Sequence, residues 1–342
     1  MEKVAVVGLD LAKQVFQVHG MDKDGRALFS KTLSRDEVKP FFKKLRRCLV
    51  AMEASGGAHY WAREIAAMGH KSMLIPAQYV KPFVKRGKSD ALDAEAIAVA
   101  STQKGMHSVL IKTAEEQAIT TMMKARMLFV RERTAAINAL RSLLAEFGYV
   151  VPVSKANIKK IGDILQSPKA QIPQAARLEL RRILEHTQSL DARIGELTAR
   201  LVKQVAQDEV SSNLTAIPGI GTIAAAMIRA FVPDPSRFKS ARHFASWLGL
   251  TPRSISSGGN NRIGKITKQG NRALRYILVF GAFSVIINAR ARGVQSQWVM
   301  SLIKRKPFKV SAVAVANKNA RIAWALMTKG GTYISPGEPK QA

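Results

Sequence analysis

Apolar and polar positions alternate in short runs over the first hundred residues, and longer helical periods follow. Residues 3–9 (Lys-Val-Ala-Val-Val-Gly-Leu) form an apolar run that predicts a buried strand, and residues 15–18 predict a second. The link Asp10-Leu-Ala-Lys13 is short enough for a hairpin connection. Asp22-Lys-Asp-Gly25 reads as a turn, followed by a third strand around residues 26–33. Ser34 stands as an N-cap ahead of Asp36 and Glu37, whose charges suit a helix first turn, and that helix runs to about Arg47. Leu49-Val-Ala-Met-Glu53 predicts a fourth strand. Gly56-Gly57 leads into a helix near residues 59–68, and residues 71–75 predict a fifth strand closed by Pro76. Ser89 caps a helix that starts at Asp90 and continues through Ala-rich sequence to about Ala100.

From about Ala114 glycine and proline become rare. Ile119, Met123, Val130, Ile137, Leu140, Leu144 and Phe147 step by three and four, the seam of a coiled coil, with Arg126 and Arg133 interrupting it. Residues 148–152 break that helix, and a second seam through Ile183, Leu190, Ile194, Leu197 and Leu201 predicts an antiparallel partner. A helical spacer or dimerisation arm is the favoured reading. Ile217-Pro-Gly-Ile-Gly-Thr222 opens a third part with helices near residues 223–231 and 240–248, a polar Gly-rich loop over 251–268, and helices to about Thr328. The expected layout is therefore α/β plus α. Residues 1–105 have the strand and helix order of an RNase H-like domain, 113–210 form a helical coiled-coil arm, 211–330 a mainly helical C-terminal domain, and 331–342 a frayed tail.

Charge narrows the partners. Lys and Arg number 54 against 24 Asp and Glu, a formal net charge of +30. Between Asp234 and Glu338 there is no acidic residue, while basic ones recur from Arg237 to Lys329. A surface made only for solubility intersperses both signs, so a polyanion is expected, nucleic acid ahead of a membrane surface or a ribosome-like role. The single cysteine, Cys48, excludes an internal disulfide and fits a reducing cytoplasmic location. The N-terminus lacks a signal-peptide layout, and apolar stretches such as residues 276–288 read as too short to span a bilayer, so no membrane partner is expected.

Four acids fall where this element order brings chain segments together. Asp10 follows the first strand, Glu53 ends the fourth, and Asp90 and Asp93 lie one helical turn apart on one face. Each alone reads as a turn, cap or surface acid. Together, in an acid-poor basic chain, they point to a site for hard divalent cations, Mg²⁺ or Mn²⁺, which take oxygen ligands and can activate an attacking oxygen. Ile217-Pro-Gly-Ile-Gly221 resembles the hairpin of a helix-hairpin-helix, where backbone N–H groups freed by Gly219 and Gly221 meet a phosphate; a plain glycine turn is the alternative. The loop over 250–262 holds Ser254, Ser256 and Ser257 beside Gly258 and Gly259, with Arg253, Arg262, Lys265 and Lys268 placed to neutralise phosphates. No nearby His or acid offers a general base, which counts against a hydrolase-style serine.

Gly8-Leu-Asp10, Glu53-Ala-Ser-Gly56, Lys88-Ser-Asp90-Ala-Leu-Asp93-Ala, Ile217-Pro-Gly-Ile-Gly221, and Gly249-Leu-Thr-Pro252 followed by Ser257-Gly258 resemble the DEDD-type insertion-sequence transposases, a family that includes the Piv-like DNA invertases. The likeness runs over nearly the whole chain in the family's order. It implies that Asp10, Glu53, Asp90 and Asp93 are a RuvC-like metal tetrad and that Ser257 attacks a DNA phosphate to form a transient phosphoserine link, with Ser256 as the neighbouring alternative. It further implies donor and target DNA as substrates and a structured guide RNA from the element's own end. Oligomers would let the tetrad of one subunit complete the serine site of another. Aromatic residues are few, at 6%, so guide pairing rather than base stacking is expected to supply sequence choice. Three rivals stay open: a junction nuclease using water on the same tetrad, a protein-only invertase, and a non-catalytic nucleic-acid-binding protein.

Overall fold

The computed structural model describes residues 4–87, 89–153, 157–257, 260–292 and 296–334. The chain divides into two compact units, Met1–Gln117 and Ala118–Ala342. The first is built on a five-stranded sheet of β1 (Val6–Asp10), β2 (Val15–Met21), β3 (Ala27–Ser34), β4 (Leu49–Glu53) and β5 (Lys71–Ile75), in the order β3-β2-β1-β4-β5. β1 to β3 are antiparallel neighbours, whereas β4 runs parallel to β1 and β5 parallel to β4. This mixed sheet is consistent with the RNase H-like order. The turn before β3 closes as its sequence requires: the Asp22 carboxylate accepts from the backbone N–H of Asp24 and Arg26, and Gly25 takes a φ of +83°.

The period of two along each strand sorts side chains between two helical layers. Val7, Leu9, Phe16, Val50, Met52 and Leu74 join a core with Val38 and Phe42 of α1 (Arg35–Lys44) and Trp61 and Ile65 of α2 (Ala58–Ala67). Val6, Ala51 and Ile75 face the other way, onto the alanines and Ile97 of α4 (Asp90–Thr102). Glu37 accepts from both the backbone N–H and the hydroxyl of Ser34, fixing the start of α1. Cys48 is buried, its thiol pushed up to about 11 by burial, so it packs as a small hydrophobe. Between β5 and α4 the structure adds a short helix, α3 (Ala77–Val80), which has too few residues for a periodic signal.

Two long helices follow, α5 (Ala114–Ala145), whose first turn belongs to the first unit and the rest to the second, and α7 (Gln174–Gln207). Their two interrupting arginines cross between them: Arg126 donates to the Thr198 hydroxyl at 2.8 Å, and Arg133 pairs with Asp191 at 2.6 Å. Seven residues forward on α5 is seven back on α7, so the helices are antiparallel. Leu140 and Leu144 form a small separate core with Leu180, Leu184 and Ile161 of α6 (Ile158–Gln166).

The other ends of α5 and α7, through Met123 and Leu201, join the main core of this unit. That core comprises α8 (Glu209–Thr215), α9 (Thr222–Phe231), α10 (Ala241–Trp247), α11 (Arg272–Arg292), α12 (Gln297–Arg305) and α13 (Phe308–Lys329). One sequence expectation is corrected here. The polar stretch read as a loop is an antiparallel hairpin of β6 (Pro252–Ser257) and β7 (Asn260–Ile266).

A second expectation also changes. α11 is long and apolar enough by composition to cross a membrane over Arg272–Ala291, longer than the stretch judged too short. Leu274, Leu278, Ala282, Val285, Ile286 and Ala289 line one face of that helix in the core, while Tyr276, Phe280 and Ile287 on it are exposed.

Candidate active site

The alternation that builds the sheet also gathers the acids. Val6, Gly8 and Asp10 share one face of β1, and Ala51 and Glu53 share the same face of β4, which is the face α4 covers. Gly8 sets the spacing. A Cβ there would lie 2.6 Å from the Ala98 backbone nitrogen and 2.9 Å from its Cβ, and would overlap the Ala94 carbonyl oxygen. With no side chain at Gly8, the backbone of α4 rests directly on β1. Ser89 starts that helix by accepting from the Leu92 N–H, which puts Asp90 and Asp93 in its first turn.

Carboxylate oxygens of Asp10, Asp90 and Asp93 consequently lie within 4.8 Å of one another, with Asp90 exposed and the other two half-buried. Glu53 is not within that close group. It stands at the end of the neighbouring strand, near enough for its charge to act on Asp10. The Asp10 carboxyl is pushed up to about 6, first by burial, then by the charges of Asp93 and Asp90, with Glu53 adding to them and the Leu11 amide opposing. Every side chain that shifts it is acidic. Hard oxygen donors crowded together fit a divalent cation such as Mg²⁺.

In the second unit Ser257 is the last residue of β6, its backbone paired with Asn260; Gly258, Gly259 and Lys88 lie outside the described residues. The root of this hairpin is tightly pinned. Thr267 N–H donates to the Thr251 carbonyl at 3.0 Å, and Lys268 N–H donates to Gly249 at 3.2 Å. The Arg275 guanidinium bridges the carbonyls of Leu248 and Gln269. Gly249 and Gly270 have φ of +70° and +69°, and a Cβ on Gly270 would overlap the Trp247 carbonyl oxygen. Lys268 is the one non-glycine among the described residues in the left-handed region. Arg253 donates to the Thr267 carbonyl, while Arg262, Lys265 and Lys268 are exposed.

The glycine turn between α8 and α9 holds two different glycines. Gly219 has a φ of +89° and sits against Gly281 of α11, where a Cβ would come within 2.8 Å of the Gly281 carbonyl oxygen. Packing alone thus accounts for Gly219. Gly221, the N-cap of α9, faces open space, with nothing within 4 Å of where a Cβ would be.

Comparison with known proteins decides the family. Residues 7–148 match a transposase family, the DEDD type of IS110, and residues 211–297 match the "Transposase IS116/IS110/IS902 family". The chain is 43% identical over 330 residues to the "Probable family 20 transposase" of Pseudomonas aeruginosa, covering 96% of this chain and 98% of that one. This chain belongs to the IS116/IS110/IS902 transposase family. It is also 37% identical over 334 residues to the "Transposase for insertion sequence element IS1328" of Yersinia enterocolitica, covering 97% and 99% of the two chains. More distantly, it is 25% identical over 291 residues to the "Pilin gene-inverting protein" of Moraxella lacunata, covering 82% and 80%.

As a transposase the protein acts on DNA, and the polyanion expected from its charge has that identity. The transposase owes its acid group to residues that the motifs name without explaining. Gly8 brings helix and strand together, and the alanines of α4 allow that closeness. Gly249 and Gly270 do the same for the hairpin root. A lone glycine inside an apolar run is the signal that could have disclosed Gly8 in advance, because it costs strand stability unless another backbone approaches it.

Proposed function

We propose that the transposase cuts and rejoins DNA at the ends of its mobile element with Ser257 as nucleophile, and that Asp10, Glu53, Asp90 and Asp93 hold the divalent metal this step needs. The observation that carries the reading is the convergence of Asp10, Asp90 and Asp93 within 4.8 Å, with Asp10 pushed up to about 6 first by burial and then by its acidic neighbours. Bound Mg²⁺ or Mn²⁺ would polarise the scissile phosphate and favour a charged leaving oxygen. The carboxylates orient that cation and, once ionised, carry no proton that would compete with it. Ser257 Oγ bonds to phosphorus as one bond from phosphorus to a deoxyribose oxygen breaks, and the released hydroxyl takes up a proton equivalent to the one serine loses. Attack by a different DNA hydroxyl on the phosphoserine reverses the exchange and rejoins strands without net hydrolysis.

Basic residues grip the substrate in this reading. Arg253, Arg262, Lys265 and Lys268 on the hairpin neutralise flanking phosphates, and the turn shaped by Gly219 presents the open backbone at Gly221 to another, in the manner of a helix-hairpin-helix. In this reading a structured guide RNA and a homo-oligomer take part in the cytoplasm, with the helical pair of residues 113–210 as the arm that assembles subunits. The domain limits at 1–105, 211–330 and 331–342 belong to the same proposal.

Denaturing gels of the protein with Mg²⁺, element-junction DNA and the flanking transcript test it. A protein–DNA adduct in wild type that Ser257→Ala and Asp10→Asn both lose is the expected result, with Ser256→Ala retaining it. Cleavage without an adduct, undiminished in Ser257→Ala, would mean that water is the nucleophile. Full activity without the transcript would remove the guide RNA.

A further inference from the structure

At the ends of β1 and β4 where the chain leaves Asp10 and Glu53, the first unit holds a cavity of about 360 Å³ that the proposed chemistry does not use. The turn after β1 forms one wall, and the start of α2 forms the other. Its lining begins one residue beyond Asp10 and three beyond Glu53. Lys13 and Arg35 line it, no carboxylate does, and among the described residues neither cation is in an ion pair.

Arg35 is held in place rather than loose. Its guanidinium carbon lies 5.3 Å from the centroid of the buried Trp61 ring and 6.0 Å from that of Phe16, and it donates to the Lys13 carbonyl at 3.2 Å. α2 enters through Gly57 at a φ of +87°, with no capping side chain and no acid in its first turn. A Cβ at Gly56 or Gly57 would meet nothing within 4 Å, so the backbone at the helix start is open. Half-exposed Tyr60 adds an aromatic wall.

Two cations, an uncapped helix start and an aromatic face, all in one cavity, match a phosphate joined to a sugar and base. We infer that the cavity holds one phosphate of the DNA strand, displaced along the chain from the phosphate that is cut, so that it sets which phosphate reaches Asp10. This rests on the reading of the acid group as the DNA-cutting centre. Lys13 and Arg35 are positioning residues in it, since they hold the strand and not the reacting atoms.

Binding, measured without metal so that no strand is cut, tests the cavity separately from the chemistry. The probe is element-junction DNA, labelled and carrying a single neutral methylphosphonate at successive positions near the cut, with the full-length protein. Lys13→Ala changes an exposed side chain and leaves the backbone carbonyl that accepts from Arg35 in place, so it should fold normally. Arg35→Lys keeps the charge but not the planar stack, and should give the same pattern more weakly.

The expected result is about tenfold weaker binding by Lys13→Ala, with a log–log salt slope smaller by about one. One methylphosphonate position should weaken wild type by a similar factor and leave Lys13→Ala unaffected. Equal sensitivity of both proteins at every position, or wild-type affinity in Lys13→Ala, overturns the inference. So does the same pattern appearing only with methylphosphonates in an RNA probe, which would give the cavity to RNA. Loss of the serine reading in the adduct experiment would leave these binding results standing.

Discussion

Replacing Gly8 by alanine is the sharpest perturbation of the acid group, because it touches none of the acids. The added methyl would stand 2.9 Å from Ala98 Cβ and overlap the Ala94 carbonyl oxygen. Ordinary carbon contacts lie near 3.5–4.0 Å, so α4 must withdraw from β1 by about 1 Å. Both partners are backbone or a helical alanine, and neither can rotate away. Overpacking of this kind costs roughly 1–3 kcal/mol, which for a chain of this size lowers Tm by about 1–4 °C.

Asp90 and Asp93 ride on the displaced helix while Asp10 stays on the strand. A shift of about 1 Å in a catalytic group costs on the order of 100-fold in rate, so activity should fall much further than stability. Thermal melts and single-turnover cleavage of element-junction DNA, at a temperature where the variant is folded, separate the two effects. Gly8→Ala with wild-type Tm and wild-type cleavage would refute the claim that this close packing sets the site.

Three further outcomes follow from other parts of the structure. Between about pH 4 and 6 the folded chain holds a proton on Asp10 that the unfolded chain has released, so without metal this group's contribution to stability falls as pH rises through that window. Mg²⁺ competes with that proton, so the Tm gain from Mg²⁺ should grow from pH 5 to pH 7 and level off above; an equal gain at both values in melts with and without Mg²⁺ speaks against the assignment. Arg133→Ala removes the 2.6 Å ion pair with Asp191 between the two long helices and should cost about 1 kcal/mol by denaturant titration, with no change in Mg²⁺ binding. Gly270→Ala places a methyl on the Trp247 carbonyl at a φ of +69° and should loosen the serine hairpin, abolishing the DNA adduct while the Mg²⁺-induced Tm gain of the acid group persists.

The five strands and the helices between them were legible because period-two alternation, Ser34, Ser89 and the Asp22 turn all act locally. The β6–β7 hairpin was not. Ile255 and Ile263 are 59% and 81% exposed, so neither face is buried and no alternation marks the strands. α6 was missed between two stronger seams. Among the acids, strand ends and helical spacing foretold the approach of Asp10, Asp90 and Asp93, but the offset of Glu53 depends on side-chain reach that element order does not encode. The cavity is illegible for a similar reason: Lys13, Arg35 and Tyr60 come from three segments that only the folded sheet assembles.

Direct titration of the apo-protein with Mn²⁺, followed by electron paramagnetic resonance of the free ion, tests the central claim that the acid group is a divalent-cation site. Wild type should bind Mn²⁺, with affinity at least about tenfold lower in Asp10→Asn and in Asp93→Asn, and unchanged in Asp163→Asn on α6. Binding that Asp10→Asn leaves intact, or no binding by folded wild type, would contradict the account.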